Sequence, residues 1–182
     1  METKSHNISE QTLHYGLITG GVISLYLLIL FAVNLLTWSS IFMVKLVFSA
    51  EYLFLMAGML WAVLQIRKQT AEQGMTYGRA FLTMLMTGIY AGLVASIFIF
   101  IWSEFIQPDL KETIIARLKD SLQTLRPELS DKGYSDIMNF AKRFSTPAME
   151  FSMSLIYYIK ISAIFALIAA AFIRKGSKKA AL

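Results

Sequence analysis

The chain has 182 residues, of which 56% are hydrophobic and 16% are charged, and its mean hydropathy is +0.56. Soluble domains carry about a quarter charged residues, so this composition is typical of a membrane protein. The chain contains no cysteine, which excludes disulfides, thiolate metal sites and cysteine nucleophiles. Its net charge of +5 is distributed over the edges of apolar runs and a charge-balanced loop, so nucleic acid is not an expected partner.

Four apolar segments are long enough to cross a bilayer. The first lies in a run from Gln11 to Val44 that contains no Asp, Glu, Lys or Arg. Because about 20 residues of helix cross the roughly 30 Å of hydrocarbon, this length predicts a transmembrane helix. The predicted spans cover residues 14–36, 46–66, 80–103 and 148–173. The sequence therefore predicts an all-α integral membrane four-helix bundle, with residues 1–182 as a single membrane domain.

A polar insert at residues 104–147 separates spans three and four. It contains two apolar stripes with helical spacing, the first between Pro108 and Pro127 and the second after a predicted turn at 131–133. The stripes consist of Leu110, Ile114, Leu118, Leu122 and Leu125, and of Ile137, Phe140, Ala141 and Phe144. These patterns predict an amphipathic helical insert that covers the bundle or contacts a partner, with lipid binding as the less favoured alternative.

The positive charges predict an orientation. Arg67, Lys68 and Arg79 lie in the connection between spans two and three, and four more basic residues lie at 174–179. Positively charged residues accumulate in cytoplasmic loops. We therefore expect a bacterial inner-membrane protein with both termini in the cytoplasm and the 104–147 insert in the periplasm.

Small residues recur every four positions in spans one and three. Since helices in lipid approach closely where side chains are small, these stripes predict packing faces. The candidate faces are Gly16, Gly20 and Ser24 in span one, and Gly88, Gly92 and Ser96 in span three.

Span four contains a lysine near its middle. Lys160 is too deep for its side chain to reach water from the bilayer centre, so we expect it to be paired, hydrated or neutral. Glu51 in span two is the predicted partner, and Tyr157, one helical turn before Lys160, offers a hydroxyl. These three residues form the predicted intramembrane polar cluster.

The sequence predicts no reaction. It contains no glycine-rich phosphate loop, dinucleotide fingerprint or zinc-protease motif, so we expect no enzyme activity, metal or cofactor. The favoured function is a structural or interaction subunit, whose partners are the lipid bilayer and a second copy or another membrane protein. The alternative is a small transporter that uses Lys160 and Glu51. A lipid-acting enzyme with Glu104 and Asp109 as a carboxylate pair is the weaker alternative.

Several short motifs resemble one family. They are YGLITGG in span one, MTYGRAF at the start of span three, EFIQPDL at its end and FSTPAMEF at the start of span four. Together with the four-span layout, they resemble the bacterial membrane-protein family catalogued as domain of unknown function 4199. The resemblance implies a small inner-membrane bundle and implies no activity or site residue.

Overall fold

A computed structural model describes residues 3–33, 41–69, 75–124, 130–144 and 146–175. In these ranges the protein consists of α-helices and one π-helical turn, without strands. The helices are α1 (Thr3–Ala32), α2 (Ile41–Ser49), α3 (Glu51–Gln69), α4 (Tyr77–Ile101), α5 (Leu110–Thr124), α6 (Asp131–Phe144) and α7 (Pro147–Lys175), and the π-helical turn is Trp102–Ile106.

Four helical segments are long and apolar enough to cross a membrane. They are span one (Ser9–Ala32), span two (Leu46–Gln69), span three (Tyr77–Ile106) and span four (Pro147–Ile173). Their mean hydropathies lie between 1.8 and 2.2, so each resembles the apolar interior of a bilayer rather than a protein surface. The predicted fold class is confirmed: the protein is an all-α membrane protein.

Local capping explains where span three begins. The sequence predicted a start at Ala80, whereas α4 begins at Tyr77. The hydroxyl of Thr76 accepts a hydrogen bond from the backbone N–H of Arg79 at 3.4 Å, as an N-cap residue does. Helix α1 of span one ends at Ala32, and the predicted end of this span at Leu36 lies outside the described residues.

The chain has two compact units. The first comprises Met1–Ala95 and Leu155–Leu182, and the second comprises Ser96–Ser154. The first unit contains most of the four spans and has a core of fully buried apolar side chains. This core includes Ile23, Leu27, Leu55, Met59, Val63 and Met84.

The contacts within the first unit give the order of the spans around the bundle. Span one packs on span two, where Thr19 lies against Gly58, and on span three, where Gly16 lies against Tyr90. Span four closes the ring, because it contacts span three at Gly88 and span two at Glu51. The spatial order is therefore one, two, four, three.

The second unit contains the insert, which forms two helices, α5 and α6, in the regions of the two predicted stripes. Helix α5 buries Leu122, which is only 6% exposed. The predicted turn at 131–133 is wrong, because these residues form the first turn of α6. Ser130 caps this helix, since its hydroxyl accepts a hydrogen bond from the N–H of Gly133 at 3.1 Å. Phe140, placed in the apolar stripe, is 60% exposed.

Two polar contacts join the ends of spans three and four in the second unit. The Ser103 hydroxyl, in the π-helical turn, donates a hydrogen bond to a carboxylate oxygen of Glu150 at 3.0 Å. Deeper in the two spans, the hydroxyls of Ser96 and Ser154 lie 3.2 Å apart. Both bonds cross between helices, so they fix the register of the two spans at this end.

Candidate functional site: a carboxylate at a helix break

Span two is interrupted near one end. Helix α2 ends at Ser49 and α3 begins at Glu51, with Ala50 between them. The N–H of Ala50 bonds to the carbonyl of Val47 at 3.0 Å, three residues back, which is tighter than an α-helical turn. The next such bond runs from the N–H of Leu53 to the carbonyl of Ala50 at 3.0 Å. The chain therefore changes helical geometry inside the apolar segment.

A tyrosine from span one occupies this break. The Tyr26 hydroxyl donates a hydrogen bond to the carbonyl oxygen of Val47 at 2.7 Å. Backbone polar groups in the apolar part of a membrane must be satisfied within the protein, because no water is available there. Tyr26 thus provides a donor at the place where the regular helical bonding of span two changes.

Glu51, the first residue of α3, is buried beside the break and is only 8% exposed. Its carboxylate accepts a hydrogen bond from the hydroxyl of Tyr158 in span four at 3.0 Å. The position at a helix N-terminus favours a negative charge, because the helix dipole is positive there. A buried polar group without a partner is costly, so this hydrogen bond stabilises the contact between spans two and four.

Aromatic rings lie next to Tyr158 and next to Tyr26. The ring of Tyr52 meets the ring of Tyr158 edge-on, with centroids 6.0 Å apart and planes at 64°. The ring of Phe54 lies 5.0 Å from that of Tyr26. The Tyr52 and Tyr158 rings place apolar surface beside the buried carboxylate, and a hydrogen bond is stronger where the local dielectric constant is low.

A glycine in span three determines how close Tyr158 lies to the bundle axis. A methyl group added at Gly92 would overlap the Cβ of Tyr158 and come within 3.0 Å of its Cγ. Tyr158 is 2% exposed, so its ring is enclosed by the neighbouring spans. Gly92 therefore allows the tyrosine backbone to approach span three while its hydroxyl reaches span two.

The predicted pairing of Lys160 with Glu51 is corrected by this geometry. Tyr158 reaches Glu51, and Lys160, two residues further along an α-helix, points about 200° away. Lys160 is exposed, and its ammonium nitrogen lies 5.5 Å from the centroid of the Tyr157 ring. The predicted cluster thus separates into a buried part around Glu51 and an exposed part containing Lys160 and Tyr157.

The exposed position of Lys160 is costly in a bilayer. Lys160 lies 13 residues from either end of Pro147–Ile173, which corresponds to about 20 Å of helix. A lysine side chain extends about 6 Å, so it does not reach the headgroups from there. A lysine at the centre of a transmembrane helix costs about 2.5–3.5 kcal/mol on insertion scales.

The family of the chain follows from its match to a family model. The model described as "Protein of unknown function (DUF4199)" matches residues 14–175, which include all the contacts described above. The chain belongs to this family. No curated protein and no solved structure matches it. The DUF4199 description assigns no reaction, so the function of the chain has to be argued from its own residues.

The small-residue faces of this DUF4199 chain lie at contacts between spans. Gly16 and Gly20 face span three, where a methyl group at Gly20 would meet the Cβ of Val94 at 2.6 Å. Gly88 faces Ser162, and a methyl group there would lie 2.6 Å from the Cβ of that serine. Ser96 is fully buried, whereas Ser24 is partly buried and its hydroxyl oxygen has no hydrogen-bond partner among the described residues.

Spans three and four of this family member form an antiparallel register. In the first unit, Gly88 faces Ser162 and Gly92 faces Tyr158, so an advance of four residues in one span matches a retreat of four in the other. The Ser96–Ser154 bond in the second unit has the same spacing. One residue in each pair is small or polar, which allows both backbones to approach.

Sequence reasoning did not identify Tyr158 as the partner of Glu51. A signal was present, because Tyr158 precedes Ser162, Ala166 and Ala170 at intervals of four residues. All four are buried, whereas Ile156 and Ile164, four residues from Lys160 on either side, are 49% and 58% exposed. Of the weaker carboxylate pair, Glu104 lies partly buried in the π-helical turn and Asp109 is exposed.

Proposed function

We propose that this protein is a non-enzymatic structural or interaction subunit of the bacterial inner membrane. The supporting observation is the hydrogen bond between Glu51 and Tyr158, because the most deeply buried carboxylate of the described spans is bound to a neighbouring helix. A carboxylate held in this way stabilises a helix arrangement and does not require a substrate to satisfy it.

Further contacts support a fixed bundle. The hydroxyl of Tyr77 donates to the carbonyl of Leu167 at 3.2 Å, which joins spans three and four in the first unit. The side-chain amide of Gln11 donates to that of Gln69, joining spans one and two. Glycines at close helix contacts restrict sliding of the helices, because any shift brings side chains onto the backbone. Such a rigid membrane body suits a subunit that presents surfaces to partners.

The test of this proposal is the composition of the protein in mild detergent. A tagged full-length chain, purified from its native membrane at its natural abundance, should recover a membrane protein in a fixed molar ratio. The matched control is the same chain with Gly92→Leu, which disrupts the packing of spans three and four. Recovery of the wild-type chain as a monomer, with no protein in a fixed ratio, would contradict the proposed function.

We infer that both termini lie in the cytoplasm and that the 104–147 insert lies in the periplasm. Arg67 and Lys68 in the last turn of α3, and Arg79 in the first turn of α4, support this orientation. The absence of native cysteine permits a direct test with Thr76→Cys and Ser135→Cys, both at exposed positions. An impermeant thiol reagent applied to spheroplasts should label Ser135→Cys and should label Thr76→Cys only after lysis. The reverse pattern would invert the topology.

A small transporter remains a second candidate because span two is broken at Ala50, next to Glu51. Transporters bind ions and substrates at such discontinuous helices. In this version Glu51 acts without Lys160, because the side of span four that faces Glu51 carries Tyr158 and Lys160 lies on the opposite side. Reconstituted vesicles should then show a pH-driven flux that is lost in Glu51→Gln and retained in Lys160→Met. Equal flux in empty vesicles and in vesicles with the wild-type protein would remove this candidate.

A further inference from the structure

The exposed side of span four contains one charged group surrounded by apolar side chains. Around Lys160, the side chains of Ile156, Tyr157, Ile164 and Leu167 are 49–58% exposed. We call these five residues the Lys160 face. Among the described residues, no carboxylate pairs with the Lys160 ammonium group, whose contact is the ring of Tyr157 at 5.5 Å. In a bilayer, this face would place a cation against lipid tails.

We propose that the Lys160 face binds a transmembrane helix of another protein, and that this helix carries a carboxylate near the middle of the membrane. The proposal rests on the proposed function as an interaction subunit and specifies the chemistry of its partner. A carboxylate opposite Lys160 would neutralise the charge within hydrogen-bond distance, and the apolar neighbours would pack against the partner helix on either side.

Lipid headgroups do not provide the counter-charge. Lys160 is 13 residues from each end of its span, about 20 Å along the helix, whereas its side chain extends about 6 Å. Lysines that avoid the apolar region by bending toward the surface lie within a turn or two of a helix end. The partner must therefore supply its acidic group from inside the bilayer.

A second copy of this chain does not provide the counter-charge either. A symmetric contact through the Lys160 face would oppose two ammonium groups, which repel each other. An asymmetric contact would need an exposed acidic residue deep in a span. The acidic residues of the four spans are Glu10, Glu51, Glu104 and Glu150. Glu51, the deepest at five residues from the start of its span, is buried and bound to Tyr158.

The face is suited to a helix rather than to a small ligand. Its residues recur at intervals of three and four, so they form a stripe along span four, and Tyr157 contributes an aromatic ring next to the cation. A cation–π contact of this kind holds the ammonium group close to the helix surface, where a carboxylate from a partner helix can meet it. The spacing also matches the ridge pattern that a facing helix packs against.

A designed peptide tests the chemistry directly. The probe is a transmembrane polyleucine helix with a single Asp at its central residue, labelled with an acceptor fluorophore. The control probe has Leu at that residue. Energy transfer from donor-labelled full-length protein in lipid vesicles should show the Asp probe binding about tenfold more tightly than the Leu probe. Lys160→Met should remove this difference and Lys160→Arg should retain it.

A matched surface variant controls for general effects on the membrane. Leu25 in span one is 60% exposed, so Leu25→Met changes a lipid-facing side chain elsewhere and should leave the tenfold preference intact. Equal binding of the two probes to the wild-type protein would overturn the proposal. So would a preference for the Asp probe that persists in Lys160→Met. Donor–acceptor transfer between two copies of the chain that is lost in Lys160→Met would also overturn it, in favour of self-association.

The same variants distinguish this inference from the proposed function. In the detergent experiment, Lys160→Met should lose the protein recovered by the wild-type chain, and that protein should contain an Asp or Glu within a transmembrane helix. A partner that is retained by Lys160→Met leaves the interaction subunit intact and refutes the Lys160 face as its binding site. Absence of a partner from the wild-type chain refutes the proposed function itself.

Discussion

Tyr158 and Lys160 lie two residues apart in span four and have opposite environments. The Tyr158 hydroxyl is buried against the carboxylate of Glu51 in span two, with a glycine of span three behind its ring. Lys160 is exposed, among isoleucine, leucine and tyrosine side chains that lipid or a partner would cover. The comparison separates two roles of intramembrane polar groups. Tyr158 joins two helices within the bundle, whereas Lys160 is available to join the bundle to a partner protein.

The difference follows from helix geometry rather than from chemistry. Residues two apart in an α-helix are separated by about 200°, so a helix in a bundle cannot bury both. A buried tyrosine requires one hydrogen bond, which Glu51 accepts, whereas a buried lysine requires full compensation of its charge. The bundle interior therefore accommodates the tyrosine, and the charge remains outside.

The largest expected effect separates the two neighbouring tyrosines. Tyr158→Leu removes a buried ring and its hydrogen bond to the Glu51 carboxylate, so we expect a loss of about 2 kcal/mol in the free energy of unfolding in detergent. Tyr157 is 51% exposed, and Tyr157→Leu should change this free energy by less than about 0.5 kcal/mol. Unfolding by denaturant, followed by circular dichroism, provides the measurement. Equal losses in the two variants would abolish the distinction between the two sides of span four.

A smaller effect on the free energy of unfolding is expected from a methyl group at Gly92, against which Tyr158 packs. Gly92→Ala would place its Cβ on the tyrosine, so it should destabilise the protein by about 1 kcal/mol. Gly21 provides the matched control, because a Cβ there meets nothing within 4 Å. Gly21→Ala should leave stability unchanged or raise it by up to about 1 kcal/mol, since alanine favours a helix. If both alanines are tolerated equally, the close contact at Tyr158 is not present in solution.

The smallest effect on the stability of the isolated protein is expected at Lys160. Lys160→Met removes a charge that makes no ion pair with any described residue, so the free energy of unfolding should change by no more than about 0.5 kcal/mol in detergent. The same denaturant titration measures this. A loss of 1 kcal/mol or more would show that Lys160 belongs to the interior of the bundle.

The sequence alone predicts the fold well because the relevant signal is local. Apolar run length identifies the spans, and the spacing of Gly88 and Gly92 identifies a face that the structure places against span four. The start of helix α4 differs from the predicted start of span three, because the Thr76 side chain caps the helix three residues earlier.

The partner of Glu51 could not be assigned with the same reasoning. Depth in the membrane and opposite charge favoured Lys160, but neither quantity determines the direction in which a residue points from its helix. Which residues of span four point into the bundle depends on the rotation of this helix about its own axis. The buried series that begins at Tyr158 and continues through Ser162 and Ala166 contains this information, and it excludes Lys160.

The central claim is that Glu51 interacts with Tyr158 and not with Lys160. Two double-mutant cycles test it most directly, with unfolding free energies measured in one detergent. Combining Glu51→Met with Tyr158→Phe should give a coupling energy of about 0.5 kcal/mol or more, because either change alone already removes the hydrogen bond. Combining Glu51→Met with Lys160→Met should be additive within about 0.3 kcal/mol. Additivity in the first cycle together with coupling in the second would contradict the account.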